Sequence, residues 1–112
     1  MMDNIHAMRL DAVLLEYLQE CLGMLGDVRL NGLAFSRVHC SKGKHHAHVY
    51  IDAQSIEPNT QQEVLGALKK ATPLLRAYVL QVSGWFKCPH FSFHIDTALE
   101  QEQRLQKILE SL

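Results

Sequence analysis

Hydrophobic positions recur along this chain with two different periods, and the points where the period changes divide it into elements. Over residues 5–22, Leu10, Leu14, Tyr17, Leu18, Cys21 and Leu22 share one face while Asp11, Glu16 and Glu20 fall mostly elsewhere. That three-and-four spacing predicts an amphipathic helix, which Gly23 and Gly26 terminate. Residues 27–32, containing the turn-forming pair Asn31-Gly32, lead into a strand over 33–40. Its alternation is imperfect, with Ala34, Ser36, Val38 and Cys40 on one side and Leu33, Phe35, Arg37 and His39 on the other, so a bulge is expected. A second strand over 47–53 alternates cleanly: Ala47, Val49, Ile51 and Ala53 point inward, His48, Tyr50 and Asp52 outward. The two strands form a hairpin with a basic, histidine-rich tip.

Residues 60–82 organise the remainder. Thr60 followed by Glu63 reads as a capping box. Val64, Leu65, Leu68, Ala71, Leu75, Tyr78, Val79 and Val82 make one apolar face that should lie on a sheet. Pro73 has no amide for the carbonyl of Lys69 and disfavours helical geometry at Thr72. The expectation is a kink at Ala71, Thr72 and Pro73, a helix that breaks and restarts. Ser83-Gly84 stops it, and a third strand over 91–96 turns Phe91, Phe93 and Ile95 to the core and Ser92, His94 and Asp96 outward. Thr97 with Glu100 forms a second capping box before a last helix, whose Leu99, Leu105, Ile108, Leu109 and Leu112 can pack or bind a partner. The order helix, strand, strand, helix-kink-helix, strand, helix predicts an α+β sandwich of helices on a three-stranded sheet.

A length of 112 residues suits one domain, and an apolar content of 47% suits a globular chain rather than a disordered one. No apolar run reaches membrane-spanning length, and Asp3 and Asp11 stand where a cationic leader would begin. The reading is cytoplasmic. Cys21, Cys40 and Cys88 form neither a paired framework nor a Cys-x-x-Cys motif, so reduced thiols are expected. A net charge of −1 hides a segregation of sign. Residues 1–27 hold five acids and one base, residues 28–95 three acids and eight bases, and residues 96–112 four acids and two bases. A basic middle segment of this kind can present a face to a polyanion.

Within it, no acidic residue occurs between Val64 and Ile95, and Lys69, Lys70 and Arg76 surround the expected kink. Together with Arg37 on the first strand and Lys42 and Lys44 at the hairpin tip, they are the candidate phosphate contacts. Seven histidines invite a metal hypothesis, and His46 and His48 share a strand face, but no recognised ligand spacing accompanies them. Neither metal nor cofactor is expected. No catalytic motif occurs either. Cys88-Pro89-His90 resembles a thiol–imidazole pair without an orienting third group, so the reading is non-enzymatic. Tyr50, or Trp85-Phe86 beside Lys87, could stack on an unpaired base; for Trp85-Phe86 a hydrophobic plug beneath the helix pair is the favoured alternative.

Several of these segments, in this order, resemble the bacterial ribosome-binding factor A family over about residues 10–112. Asp27-Val28-Arg29-Leu30 corresponds to the family's Asp-Pro-Arg-Leu, and Ala47-His48-Val49-Tyr50-Ile51 to its Ala-x-Val-Tyr strand, with Ser41 in the hairpin. Ala67-Leu68-Lys69-Lys70-Ala71 and Leu75-Arg76 resemble its kinked helix pair. Pro89-His90-Phe91-Ser92-Phe93 resembles its last strand, and Asp96 with Leu99 and Glu100 its closing segment. Val28, Thr72-Pro73 and Lys42-Gly43 depart from the family pattern, and the family's N-terminal arginines are missing.

The resemblance implies a KH type II-like arrangement with the kink at Ala71 in place of a Gly-x-x-Gly loop. It further implies binding to the 30S subunit and 16S rRNA, support for late maturation and 5′-end processing, and importance for growth in the cold; a monomer is expected. The competing reading from the residues is a protein-interaction module whose acidic first helix and closing helix dock on a protein without touching RNA.

Overall fold

The computed structural model describes the backbone of residues 2–41 and 45–112 and the side chains of residues 10–41, 45–98 and 101–112. Helix α1 spans Met2–Met24, strand β1 Phe35–Cys40, strand β2 His46–Asp52, helix α2 Gln61–Ser83, strand β3 His90–Asp96 and helix α3 Ala98–Glu110, with short 3-10 turns at Val28–Leu30, Ala53–Ser55 and Pro58–Thr60. The sheet order is β1-β2-β3. β1 pairs antiparallel with β2, as a hairpin must, and β2 pairs parallel with β3. A parallel pair needs a crossover, which α2 supplies.

Helices α1 and α2 cover one face of the sheet. Its inward residues Ala47, Val49 and Ile51 have no exposed surface, and Leu14, Leu18, Leu68, Leu75 and Val79 from the helices are equally buried over them. Phe91, Phe93 and Ile95 of β3 pack half-buried against the same core, as their alternation predicts. The expected bulge lies between Phe35 and Arg37. It leaves Ser36 out of the ladder and turns Phe35 and Val38 both inward, each 7% exposed. The even-and-odd division of this strand therefore does not hold across its whole length, because one extra residue reverses the faces.

The outer edge of β1 is closed by polar side chains of α1. Gln19 Oε1 accepts from the Phe35 amide at 2.9 Å while its Nε2 donates to the Leu33 carbonyl at 3.1 Å, and Asp11 Oδ1 accepts from the Cys40 amide at 3.0 Å. Edge groups left open would recruit another strand. Beyond α1, Asp27 accepts from the Arg29 amide and holds a turn that delivers Leu30, 1% exposed, to the core.

Three local expectations need correction. The segment expected to break and restart at Ala71, Thr72 and Pro73 is one helix by its hydrogen bonds, Gln61–Ser83, and Pro73 sits inside it, where its ring is the ordinary cause of a kink. The proline removes one amide, and the Thr72 hydroxyl donates to the Leu68 carbonyl at 3.0 Å, so the chain passes this point on its remaining ladder. Neither capping box has its Thr cap. The Thr60 hydroxyl turns back to the Glu57 carbonyl because Thr60 ends a preceding 3-10 turn, and Thr97 makes no side-chain cap bond. Asp96 takes that role for α3, its Oδ1 accepting from the Ala98 amide at 3.1 Å. Gly84 does stop α2, in the left-handed conformation at φ 72° that glycine adopts without strain.

Two consequences are measurable. Pro73 is exposed within a continuous helix, so Pro73→Ala restores the ladder with little loss of packing and should raise stability by about 1–3 kcal/mol, read from the urea midpoint. An unchanged or lower midpoint would mean that the ring is needed to seat α2 on the sheet. Asp96 also accepts from the Ser36 hydroxyl at 2.7 Å and faces Arg37 Nε at 3.4 Å. The Ser36 hydroxyl, the Ala98 amide and then Arg37 hold its carboxyl below the ordinary value of 3.8. The folded carboxyl binds its proton less tightly than the unfolded one, so this stability is complete above 3.8 and is lost as pH falls through the folded value. Asp96→Asn should cost about 1–2 kcal/mol at neutral pH, with the gap to the parent closing in acid. A gap independent of pH would remove the ionised carboxylate as its cause.

Candidate nucleic-acid interface

The six cations singled out in the sequence do not form one patch. Lys69 and Lys70 are exposed on α2. Arg76 follows Lys69 by seven residues, two helical turns, which returns it to nearly the same azimuth about 10 Å further along. By the same geometry Pro73 and Leu80 lie on this stripe, so it runs from the lysines towards the C-terminal end of α2. Arg37 sits elsewhere, on the sheet face opposite the helices. Its guanidinium lies 4.0 Å above the Tyr50 ring and its Nε faces Asp96, so much of its charge is balanced locally. The reversal of faces at the β1 bulge places it there. Lys42 and Lys44 lie outside the described residues.

At the end of the α2 stripe a cleft of about 350 Å³ opens, lined by Arg76, Leu80, Phe86, Lys87, His45 and His90. Among the described residues lining it, none is acidic. Arg76 Nη2 donates to the Cys88 carbonyl at 3.0 Å, while its Nε is buried without a hydrogen-bond partner among the described residues. Lys87 is not among the candidate contacts, although it lies in the acid-free stretch that points to Lys69, Lys70 and Arg76. The two neighbouring aromatics divide their roles. Trp85 packs against the core and meets Tyr17 edge-on at 6.0 Å, as a plug would, whereas Phe86 is fully exposed at the cleft.

Cys88 is 5% exposed and burial pushes its thiol upward, partly opposed by Arg76 beside it. A protonated, enclosed thiol next to an exposed His90 is a poor nucleophile. The cysteine contributes its carbonyl to position the guanidinium, and its side chain to the core.

The other face of the sheet carries a file of rings. Tyr50 and His94 lie 5.2 Å apart, His94 and His48 5.1 Å, and His48 and His46 4.9 Å, between centroids. His48 Nδ1 and His94 Nε2 share a hydrogen bond of 2.9 Å, so one ring donates and the other accepts, and His46 Nε2 is bonded to the Ser92 hydroxyl. Partial burial first, and then His46, His94 and His39, lower the pKa of His48. These histidines are therefore bonded to one another and to Ser92, and among the described residues no group of three His, Cys, Asp or Glu side chains is placed to hold a metal ion. At the Asp96 end of the sheet, α3 leaves Leu105, Ile108 and Leu109 exposed, and Leu112 just beyond it is exposed too. Among the described residues no helix is long and apolar enough to cross a membrane.

Comparison with known proteins agrees with this architecture. The sequence model of ribosome-binding factor A matches residues 6–109. The Helicobacter pylori (strain Shi470) ribosome-binding factor A is 49% identical over 97% of this chain and 93% of its own length, and that of Wolinella succinogenes is 40% identical over 97% and 92%. Among solved structures, the crystal structure of ribosome-binding factor A from Thermus thermophilus superposes with a TM-score of 0.73 at 27% identity, covering 82% of this chain and 97% of that one. A homology model of the Thermus thermophilus factor, fitted into a map of a 30S complex, gives a TM-score of 0.63 at 29% identity, covering 78% and 91%. The α+β, KH-like fold implied by the resemblance is the fold of these relatives. With its matched length and its element order in agreement, the chain belongs to the ribosome-binding factor A family.

Proposed function

We propose that this chain is a non-catalytic ribosome assembly factor, a single KH-like domain over residues 1–112, which acts in the cytoplasm as a monomer. It binds the 30S subunit through 16S rRNA and supports late maturation of that subunit and processing of the RNA 5′ end, including during growth in the cold. The reading rests on one observation above others: close similarity over 97% of the chain to a protein called ribosome-binding factor A. The likeness to a relative fitted into a 30S complex supports it.

The contact surface in this reading begins at Lys69 and Lys70 and follows the α2 stripe through Arg76 to Lys87. Lys42 and Lys44, singled out from the sequence, are further phosphate contacts in this reading. Arg37, braced against Asp96 and stacked on Tyr50, adds a separate contact on the far side of the sheet. Phosphate contacts of this type hold the protein in register without reading bases, so the recognised object is the shape of the RNA.

The exposed apolar stripe on α3 favours a second reading, a module that docks on protein alone. Binding to protein-free 16S rRNA separates the two, since a module of that kind would ignore it.

If about three phosphates are neutralised, affinity for isolated small subunits should fall about thirtyfold between about 50 and 200 mM salt. Reversing both charges with Lys69→Glu and Lys70→Glu should weaken binding at least about tenfold and flatten the salt dependence. Co-sedimentation across a salt series measures both. A flat parent curve would exclude phosphate contacts, and an unchanged double variant would exclude this part of α2.

A further inference from the structure

We propose that the cleft beside the C-terminal half of α2 receives a single nucleotide unit of RNA, with Arg76 and Lys87 on its phosphate and the ring of Phe86 against its base. The inference deepens the reading above and rests on RNA being the partner.

Three independent features converge on that ligand. The first is charge. Arg76 and Lys87 are cations, and among the described lining residues no carboxylate offsets them. Such a wall favours an anion.

The second is a guanidinium with donors to spare. Arg76 carries five N–H groups in a planar fork. Nη2 is engaged by the Cys88 carbonyl, yet Nε is buried with no partner among the described residues. Nε is covered by protein, so it is the other N–H groups of the Arg76 fork, at the cleft it lines, that an acceptor from outside can reach. A phosphate oxygen fits both the charge and the fork. The Cys88 contact fixes the guanidinium in advance, which lowers the entropy lost on binding.

The third is Phe86. Its ring is fully exposed at the cleft while the adjacent Trp85 is tucked against Tyr17. The chain thus commits one aromatic to the core and presents the other to solvent. Every base offers a π-face, so an exposed ring next to a cationic pocket suits a nucleotide without dictating which base it is. A volume of about 350 Å³ lies within the range of small-ligand sites.

The test uses the full chain and nuclear magnetic resonance. Adenosine monophosphate, inorganic phosphate and a short oligoadenylate are titrated in turn, while the Lys87 and Phe86 amides and the Arg76 Nε–H are followed. Adenosine monophosphate and the oligonucleotide should both shift these signals, with the oligonucleotide the tighter ligand. Phe86→Ala should weaken both about tenfold, the scale of one lost base stack, and should leave inorganic phosphate unaffected. Lys87→Ala should weaken all three. Phe86 is fully solvent-exposed and Lys87 is also exposed, so neither change threatens the fold, and the unshifted core signals serve as the check.

Phosphate binding as tightly as the nucleotide, with no response to Phe86→Ala, would overturn the proposal in favour of a bare anion site. Silent cleft signals in a chain that still co-sediments with small subunits would overturn it while leaving the functional reading in place. A chain that bound neither subunits nor nucleotides would sink both together.

Discussion

The parallel register of β2 on β3 is the constraint from which the rest of this molecule follows. It aligns Ala47 with Phe91, Val49 with Phe93 and Ile51 with Ile95 on one face, and His48 with Ser92, Tyr50 with His94 and Asp52 with Asp96 on the other. A slip of one residue would drive the histidines into the space where Ala47, Val49 and Ile51 are fully buried. Parallel pairing also obliges the chain to return to the starting end of β2. The strand has seven residues and spans about 23 Å, whereas the 23 residues of α2 span about 35 Å. The helix is longer than the strand it recrosses. The connecting residues 84–89 must fold back from its end to begin β3, and the cleft lined by Arg76, Leu80, Phe86 and Lys87 lies at this return.

The legible parts of the fold are those with a strong period and one exposed side. β2 alternates without exception and its expected bounds lie within one residue of the observed ones, and Gly84 marks the end of α2 because its left-handed conformation suits glycine above other residues. The illegible parts depend on choices between neighbours. Thr60 and Thr97 carry the right side chain for a cap, but backbone geometry decides which acceptor a hydroxyl reaches, and at α3 the preceding Asp96 takes the amide instead. Pro73 shows the same limit from the other direction. Its local penalty is real, and the buried face through Val64, Leu68, Leu75 and Val79 outweighs it, since breaking the helix would lift one half of that face off the sheet.

At the candidate interface, charge is legible as a segment and not as a surface. The acid-free stretch of residues 64–95 contains Lys69, Lys70 and Arg76, which the structure carries on one helix, and contains Lys87 as well. Arg37 cannot be placed from sequence, because whether it shares a side with Phe35 depends on a bulge whose position no alternation pattern fixes. Nor can the sequence separate Trp85 from Phe86. Both occupy an irregular segment, where there is no period to assign one inward and the other outward.

The unbroken course of α2 changes what this surface can do. A helix that broke at Ala71 would let Lys69 and Arg76 swing relative to one another, and part of the binding energy of an RNA would go into fixing their separation. In one continuous helix they stand two turns apart on the same stripe, about 10 Å, before any partner arrives. Cations held at a fixed interval match a phosphate backbone of one curvature better than others. Discrimination by shape thus needs no base contact, only cations carried on one continuous helix. Along that helix the lysines are exposed to solvent and the arginine is anchored by the Cys88 carbonyl, so the anchored side chain of the stripe is the one at the pocket, and the lysines are the side chains that can adapt to an irregular backbone.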